Sequence, residues 1–238
     1  MKPVAIVQQV HHDTPDFFAD FLTEKQIPWT LFRMDQNDPL PDNLDAFSGY
    51  CMLGGPMSVN DDDTLPWLRQ EMALVREALR KDIPVIGHCL GGQLISKALG
   101  GKVGPVPMPE IGWSQIHMPD EADAKRWLGG ESTVPLFQWH GEGFTLPEGA
   151  RLIAQSPYWA HQAFVIGQKH LAMQFHCEVN AAKVRHWAVE EQSEIDAVQH
   201  HESVQSADSI LASLEKSIPE SNRIARHIYS EWIQGLNR

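Results

Sequence analysis

The amino-acid sequence predicts an α/β fold with an open, mostly parallel β-sheet, helices on both faces, a small antiparallel extension and C-terminal helices. Short apolar segments alternate with amphipathic segments through the first half of the chain, which is the pattern of parallel strands joined by crossover helices. The middle of the chain is instead rich in glycine and proline, and the last quarter has helical periodicity.

The first half of the chain contains the predicted parallel core. Each strand is a short apolar run, whereas the helices repeat apolar side chains every three or four positions, as Leu68, Met72, Val75 and Leu79 do. The predicted strands are residues 4–10, 29–32, 50–53 and 84–87, and the predicted helices are residues 15–26, 65–81 and 91–99.

The middle of the chain, residues 103–173, has a weaker pattern. It carries β-like runs at 113–118, 163–166 and 171–175, separated by glycine and proline. We expect these runs to form loops and an antiparallel extension of the sheet.

The C-terminal part of the chain turns helical from residue 181, passes through a polar stretch, and ends in a helical pattern that Pro219 interrupts. Most amphipathic helices pack on their own domain, so we expect that arrangement here, with a homodimer face as the alternative. The predicted division is an α/β domain over residues 1–185 and a helical extension packed on it over residues 186–238.

Composition and charge exclude several classes of function. The 238 residues include 19 Lys and Arg against 31 Asp and Glu, a net charge of −12 without a basic run, so no nucleic-acid partner is expected. The N-terminal apolar run is short for a signal peptide, and no segment reaches the ~18 apolar residues of a membrane span. We therefore expect a cytoplasmic protein without a membrane partner.

The spacing of cysteine, histidine and glycine residues indicates which cofactors the chain is expected to bind. The three cysteines are far apart and odd in number, which favours reduced thiols over disulfides. The histidines lack His-Glu-x-x-His spacing, and no Cys-x-x-Cys pair or Gly-x-x-x-x-Gly-Lys-[Ser/Thr] loop occurs. The sequence therefore predicts neither a metal nor a nucleotide cofactor.

The most informative segment is a predicted strand followed by Gly87-His88-Cys89-Leu90-Gly91 and a helix. This is the pattern of a nucleophile elbow, with cysteine in place of serine. The glycines keep side chains out of the sharp turn, and the helix N-terminus favours the thiolate of Cys89. The N–H of Leu90 can supply half of an oxyanion hole. The alternative is a buried structural cysteine in a tight turn.

A second candidate segment is His176-Cys177-Glu178, at the end of an apolar run. Residues two apart on an extended chain face the same side, so the imidazole of His176 can take a thiol proton while the carboxylate of Glu178 orients it. A Cys–His–Glu triad needs these groups in that relation. A histidine at a strand end beside a solvated glutamate is the alternative.

A third candidate segment is the glycine turn Gly54-Gly55-Pro56, which also follows a predicted strand. Without a side chain, Gly55 can bring its backbone amide close to a ligand and provide a second oxyanion donor. A plain loop is the alternative. Because sites in open α/β sheets collect beyond the carboxyl ends of the strands, we expect the three segments to meet.

Together these residues resemble the class I glutamine amidotransferases, and specifically the glutaminase domain of GMP synthase and its free-standing relatives. The resemblance spans roughly residues 4–179 and implies the flavodoxin-like fold of that family. A joint match of several motifs is far more specific than any one of them. The matching segments are Gly54-Gly55-Pro56, GHCLGGQ at 87–93, EIGW at 110–113, WHGE at 139–142 and QFHCE at 174–178.

The resemblance implies a role for each site residue. Cys89 is the nucleophile, His176 the base and later the acid, and Glu178 its orienting partner. Gly55 and Leu90 provide the oxyanion N–H groups. The substrate-binding residues that the resemblance implies are Gly54, Gln93, Trp139, His140 and Gly141.

Two departures from the family pattern affect these expectations. Cys177 stands where the family usually has proline, which removes a rigid turn and is expected to place a second thiol beside the site. No Ser-Gly-Gly-x-Asp-Ser ATP loop follows, and the remaining ~60 residues are fewer than the ~100–150 of a typical domain. We therefore expect ammonia to pass to a separate synthetase or acceptor protein, or to water.

Three functions remain open from the sequence. The first is hydrolysis of the γ-carboxamide of glutamine through a γ-glutamyl thioester. The second is a γ-glutamyl peptidase that acts on a γ-glutamyl conjugate with the same triad. The third is a non-catalytic regulatory or binding module of the same fold. Intact Cys89, His176, Glu178 and Gln93 favour the first two.

Overall fold

A computed structural model describes residues 1–119 and 121–237 of the chain. The strands in this part, in chain order, are β1 Val4–Gln8, β2 Trp29–Arg33, β3 Gly49–Met52, β4 Val85–His88, β5 Val103–His117, β6 Thr133–Phe144, β7 Arg151–Ala154, β8 Ala163–Ile166 and β9 His170–Met173. The α-helices are α1 Asp16–Glu24, α2 Pro66–Arg80, α3 Leu90–Ala98, α4 Ala122–Leu128, α5 Ala181–Glu190, α6 Gln192–Val198, α7 Ala207–Ala212 and α8 Leu214–Trp232.

The central sheet has the strand order β2-β1-β3-β4-β9-β8-β7. Its first five strands are parallel, and β8 and β7 add an antiparallel edge. β5 and β6 pair with each other as a separate antiparallel sheet. The predicted open, mostly parallel sheet with a small antiparallel extension is therefore confirmed.

Alternation of side chains along the strands divides the core into two layers. Ile6 and Ile86 pack with residues of α1, α4 and α8 on one face of the sheet. Val7 and Val85, on the opposite face, pack with residues of α2 and α3. Burial on both faces is what makes the parallel strands continuous apolar runs, and it explains why sequence periodicity located them.

The antiparallel part of the molecule was harder to predict. β6, β7 and α4 fall in the stretch expected to be mostly loops, and β5 begins at Val103 instead of residue 113. Prolines and glycines in β5 and β6 disfavour strands locally, yet the two segments pair over most of their length, with a register shift between Pro105 and Glu110. The run at 171–175 is also not part of the extension, since β9 pairs in parallel with β4 at the centre of the sheet.

The C-terminal helix α8 continues through Pro219, where the sequence predicted an interruption. Proline removes one helical hydrogen bond, at a cost of about 3 kcal/mol. Burial of the apolar face that includes Ile224, Ile228 and Trp232 offsets this cost. The chain breaks instead at Ser213, between α7 and α8.

Helix α8 packs on α1 and α4 of the same chain. The Trp232 ring lies 5.7 Å from the Phe18 ring, and Arg126 Nε donates to Glu231 Oε2 at 3.2 Å. The division proposed at residue 185 falls inside α5 and stays a prediction. No helix in the described part of the chain combines the length and apolarity that a membrane crossing needs.

Replacing Trp232 with alanine tests how strongly α8 is held. The indole is fully buried, so Trp232→Ala is expected to lower the free energy of unfolding by about 3–5 kcal/mol, measured by urea denaturation. Trp29, which is 37% exposed, provides the control, and Trp29→Ala is expected to cost about 0.5 kcal/mol or less. A loss of less than about 1 kcal/mol in Trp232→Ala would show that α8 contributes little to stability.

Candidate active site

The three candidate segments lie together beyond the carboxyl ends of three neighbouring strands. β3, β4 and β9 are adjacent in the sheet, and they lead into Gly54, Cys89 and His176 respectively. A methyl group on Gly54 would lie 2.8 Å from Cε1 of His176 and 3.7 Å from Cβ of Cys89. The structure therefore brings the glycine turn, the thiol and the imidazole into one place.

The turn at Cys89 is sharp and strained. Cys89 has φ of 49° and ψ of −108°, a conformation that costs a residue with a side chain about 1–3 kcal/mol. Its N–H donates to the carbonyl of Met173 at 2.9 Å, and α3 begins at the next residue. A Cβ on Gly91 would lie 2.2 Å from the Met52 carbonyl oxygen, so only glycine allows this approach of helix and strand. The result is a thiol at a helix N-terminus, 6% exposed.

His176 is fixed by a buried carboxylate. Its Nδ1 lies 2.7 Å from Oε1 of Glu178, and both side chains are almost fully buried. The backbone N–H of His176 donates to the Phe137 carbonyl at 2.8 Å, and the Trp187 ring meets the imidazole edge-on at 4.9 Å between centroids. Because Nδ1 is occupied, Nε2 is the ring nitrogen left to exchange a proton with a thiol.

The charges in this group stabilise one another. Burial by itself would lower the pKa of His176, but the carboxylate of Glu178 and the neighbouring Cys89 raise it to about 10. Burial would raise the pKa of Glu178, yet His176, His88 and Lys183 hold that pKa well below its usual range. The site therefore favours an imidazolium paired with a carboxylate.

Lys183 belongs to this network, although the sequence analysis did not identify it. Its ammonium lies 4.0 Å from Oε1 of Glu178 and 3.0 Å from Oδ2 of Asp16, and it donates to the Thr14 carbonyl at 2.5 Å. Asn180 caps the N-terminus of α5 by accepting from the backbone N–H of Lys183. Asparagine at position 180 indicates where α5 starts, but nothing in the sequence shows that the first turn of α5 lies against Glu178.

The candidate oxyanion donors have no hydrogen-bond acceptor within the described part of the protein. Within residues 1–119 and 121–237, the backbone N–H groups of Gly55 and Leu90 donate to no other group. A Cβ on Gly55 would lie 2.6 Å from Sδ of Met57 and 2.9 Å from Cβ of Gln9, so this turn has no room for a side chain. Two free N–H groups near a thiol suit the negative oxygen of a tetrahedral intermediate.

Amide side chains lie on another side of Cys89. Gln93 Nε2 donates to the Glu142 carbonyl at 3.1 Å and to Gln174 Oε1 at 3.3 Å. Gln174 Nε2 lies 3.5 Å from Sγ of Cys89, and the Trp139 carbonyl lies 3.9 Å from the same sulfur. The predicted substrate residues of α3 and β6 thus surround the thiol.

The ring of His140 is already engaged within the protein. Its Nδ1 lies 3.0 Å from the Glu142 carbonyl and its Nε2 lies 3.2 Å from Oε2 of Glu110, which is fully buried. Gln162 also donates to Glu110, at 2.5 Å. The ring therefore supports the segment around Gly141, and it is the backbone of this segment that is left for a ligand.

A cavity of about 690 Å³ opens over Cys89. This volume is in the range of about 300–1,000 Å³ found for pockets that hold drug-sized ligands, which are larger than free glutamine. His176, Trp139 and Gly141 line the cavity, and Trp187, Glu191 and Glu194 extend it toward α5 and α6. The last three residues come from the helical region whose contribution the sequence analysis did not identify.

The expectation that Cys177 places a second thiol beside the site is wrong. Its Sγ lies 3.4 Å from the Tyr229 hydroxyl, and the side chain is fully buried in the core cluster under α8. Burial raises the pKa of this thiol. Neighbours in an extended segment point to opposite sides, so Cys177 faces the core while His176 and Glu178 face the site.

Comparison with known proteins identifies relatives of the chain. The family model described as glutamine amidotransferase class-I matches residues 18–191. A solved glutamine amidotransferase from Methylobacillus flagellatus is 43% identical, with a TM-score of 0.97, and the match covers 100% of this chain and 96% of that one.

Two curated relatives differ in how much of their length is matched. GMP synthase of Streptococcus mutans is 34% identical over 138 residues, which are 55% of this chain and 25% of the synthase. Gamma-glutamyl peptidase 3 of Arabidopsis thaliana is 28% identical over 170 residues, which are 68% of each protein. The chain therefore spans about a quarter of the GMP synthases that it matches. Because the family model covers well over half of the sequence, the chain belongs to the class I glutamine amidotransferases.

Proposed function

We propose that this protein hydrolyses the γ-carboxamide of glutamine or a related γ-glutamyl amide. In this proposal Cys89 is the nucleophile and His176 is the base and acid. Glu178 orients the His176 ring and stabilises its protonated form. The observation that carries the proposal is the 2.7 Å contact between His176 and Glu178, in a buried site that opens on the strained Cys89 turn. This arrangement can generate a thiolate and hold the proton that the leaving group needs.

The first half of the reaction forms a thioester. The thiolate of Cys89 attacks the amide carbon, a carbon–sulfur bond forms, and the carbonyl oxygen takes the negative charge opposite the N–H groups of Gly55 and Leu90. Collapse of this intermediate breaks the carbon–nitrogen bond. The imidazolium of His176 gives its proton to the departing amine, or to ammonia when glutamine is the substrate.

The second half of the reaction hydrolyses the thioester. Neutral His176 takes a proton from water as the water oxygen attacks the thioester carbon. The carbon–sulfur bond then breaks, glutamate leaves, and Cys89 returns as a thiolate beside the imidazolium. The carboxylate of Glu178 stabilises this charged resting pair, since its interaction favours the protonated ring.

The γ-glutamyl part of the substrate is proposed to lie against Gln93, Gly54 and the segment formed by Trp139, His140 and Gly141. The amide of Gln93 already bonds the carbonyl of Glu142, the residue that follows that segment, so α3 and β6 are joined at this side of the site. Pre-organised donors and acceptors reduce the free energy lost on binding.

A γ-glutamyl conjugate is the second candidate substrate. The cavity volume of about 690 Å³ leaves room beyond a γ-glutamyl group for a leaving group larger than ammonia. A relative matched over two thirds of its length is a gamma-glutamyl peptidase, which supports the same candidate. If glutamine is the substrate, we propose that ammonia passes to water or to a separate synthetase or acceptor protein.

Release of ammonia or amine tests this proposal. The purified protein is incubated with glutamine and with a set of γ-glutamyl amides, and release is measured for the native chain, Cys89→Ala and Cys51→Ala. We expect release from at least one substrate, its loss to the protein-free rate in Cys89→Ala, and its retention in Cys51→Ala, because Cys51 lies in the core. No turnover of any substrate would favour a non-catalytic binding module.

Selective labelling identifies the nucleophile independently. A diazo-ketone analogue of glutamine is expected to alkylate Cys89, because Cys51 and Cys177 are fully buried. Peptide mass mapping locates the label. A label on Cys177 would contradict the assignment.

Alanine at position 54 tests the fit between the glycine turn and the base. Its Cβ would lie 2.8 Å from Cε1 of His176, so Gly54→Ala should displace the ring, and a misplacement near 1 Å can cost about 10²-fold in rate. We expect kcat for the best amide to fall by that order. The matched control is Gly104→Ala, since a Cβ on Gly104 meets nothing within 4 Å. Equal kcat values for the two variants would contradict the proposed geometry.

A further inference from the structure

Asp13 is a buried carboxylate that faces the cavity without a partner. It follows β1 in the loop to α1, is 6% exposed, and lines the cavity together with Cys89 and His176. Across the described ranges, 1–119 and 121–237, its carboxylate accepts no hydrogen bond and forms no ion pair. Burying a charge without a partner is costly, and burial raises the pKa of Asp13.

The nearby ammonium of Lys183 does not neutralise Asp13. Lys183 is close enough to affect the carboxylate electrostatically, but its ammonium is paired with Asp16 and donates to the Thr14 carbonyl. Asp13 is therefore available for a donor that arrives with a ligand, in the way that buried polar groups in binding sites meet ligand groups.

The position of Asp13 indicates which part of the ligand it meets. Lys183 donates to the carbonyl of Thr14, the residue after Asp13, and its ammonium lies 4.0 Å from Oε1 of Glu178. The loop that carries Asp13 is therefore held beside the carboxylate that bonds His176, on the base side of Cys89. Because His176 protonates the leaving nitrogen, the leaving amine is the part of the substrate next to Asp13.

The rest of the cavity wall has the same sign of charge. The carboxylates that line it are Asp13, Asp61, Glu142, Glu191 and Glu194, and no lysine or arginine of the described chain is among the lining residues. Three of these carboxylates are engaged, since the Ser58 hydroxyl donates to Glu142 at 2.8 Å, the Ser58 backbone N–H donates to Asp61 at 2.9 Å, and the Trp139 indole donates to Glu194 at 2.7 Å. These groups disfavour an anionic leaving group and favour a cationic one.

Aromatic rings complete this side of the cavity. Four lining residues come from this helical region: Trp187 from α5, Glu191 from the break between the helices, and Glu194 and Val198 from α6. The Trp187 and Trp139 rings lie 5.8 Å apart. The Trp187 ring already meets the Lys183 ammonium at 5.6 Å, so the attraction for a cationic leaving group rests on the carboxylates.

We propose that the substrate is a γ-glutamyl amide of a diamine, and that Asp13 binds the second, protonated amino group of the leaving diamine. This inference rests on the hydrolase function proposed above and specifies its substrate class. The bond cleaved is the γ-amide bond, water supplies the hydroxyl group of the glutamate, and the diamine leaves with the proton from His176.

A charge series of substrates tests the proposal on the native protein. Three amides of similar length are compared: γ-glutamyl diaminobutane, γ-glutamyl pentylamide with a methyl group in place of the ammonium, and γ-glutamyl aminobutyrate with a carboxylate. We expect kcat/KM to be about 10-fold or more higher for the diamine than for the pentylamide, and lowest for the carboxylate. Equal values, or a preference for the carboxylate, overturn the diamine proposal while leaving the hydrolase function intact.

Asp13→Asn separates the role of Asp13 from that of the whole cavity. The ratio of kcat/KM for diamine over pentylamide is expected to fall about 10-fold in this variant, and the ratio is insensitive to a general loss of activity. The control is Asp196→Asn, an exposed carboxylate on α6 that does not line the cavity, which should keep the native ratio.

Two outcomes overturn the assignment of Asp13. An unchanged ratio of kcat/KM for diamine over pentylamide in Asp13→Asn shows that Asp13 does not bind the leaving group. An equal loss for all three amides shows that it binds a group that they share, such as the α-amino group of the γ-glutamyl moiety. If none of the amides, nor glutamine, gives Cys89-dependent release, the hydrolase function itself fails, and the substrate proposal fails with it.

Discussion

The buried ion pair between Glu178 and His176 is the interaction on which the rest of the site depends. A carboxylate and an imidazolium taken out of water lose hydration energy, and a buried pair is favourable only when additional groups stabilise both charges. Lys183 on α5 supplies a second positive charge, and the Phe137 carbonyl on β6 fixes the backbone at His176. The antiparallel hairpin and the C-terminal helices are therefore parts of the site, because the charged pair cannot be held by the parallel sheet alone.

A second constraint is the close approach of backbones at the elbow. α3 begins so near to β3 that a single Cβ at Gly91 would overlap the Met52 carbonyl, and the strained conformation of Cys89 persists because the surrounding contacts determine it. This approach sets the thiol opposite His176 and leaves the N–H of Leu90 free. Placement of Cys89, the proposed nucleophile, follows from backbone packing, whereas its proposed protonation state depends on the buried pair.

The sequence predicted the parallel core and the segments that meet in the site, because strands buried on both faces and glycine turns leave strong local patterns. It did not predict β6, whose single proline and two glycines oppose a strand that pairing with β5 stabilises. Nor did it predict the environments of Asp13 and Lys183. Their importance comes from burial beside His176 and Glu178, and contacts between distant segments leave no periodic signal.

The central claim is that Glu178 keeps His176 protonated opposite Cys89 in a dry site. The most direct measurement is the pKa of the His176 ring, followed by NMR in the native protein and in Glu178→Gln, with the His176→Asn spectrum to assign the resonance. We expect a native pKa of about 10 that falls markedly in Glu178→Gln, because burial then disfavours the charged ring and only Cys89 remains to raise the pKa. A pKa that is the same in both proteins would contradict the account.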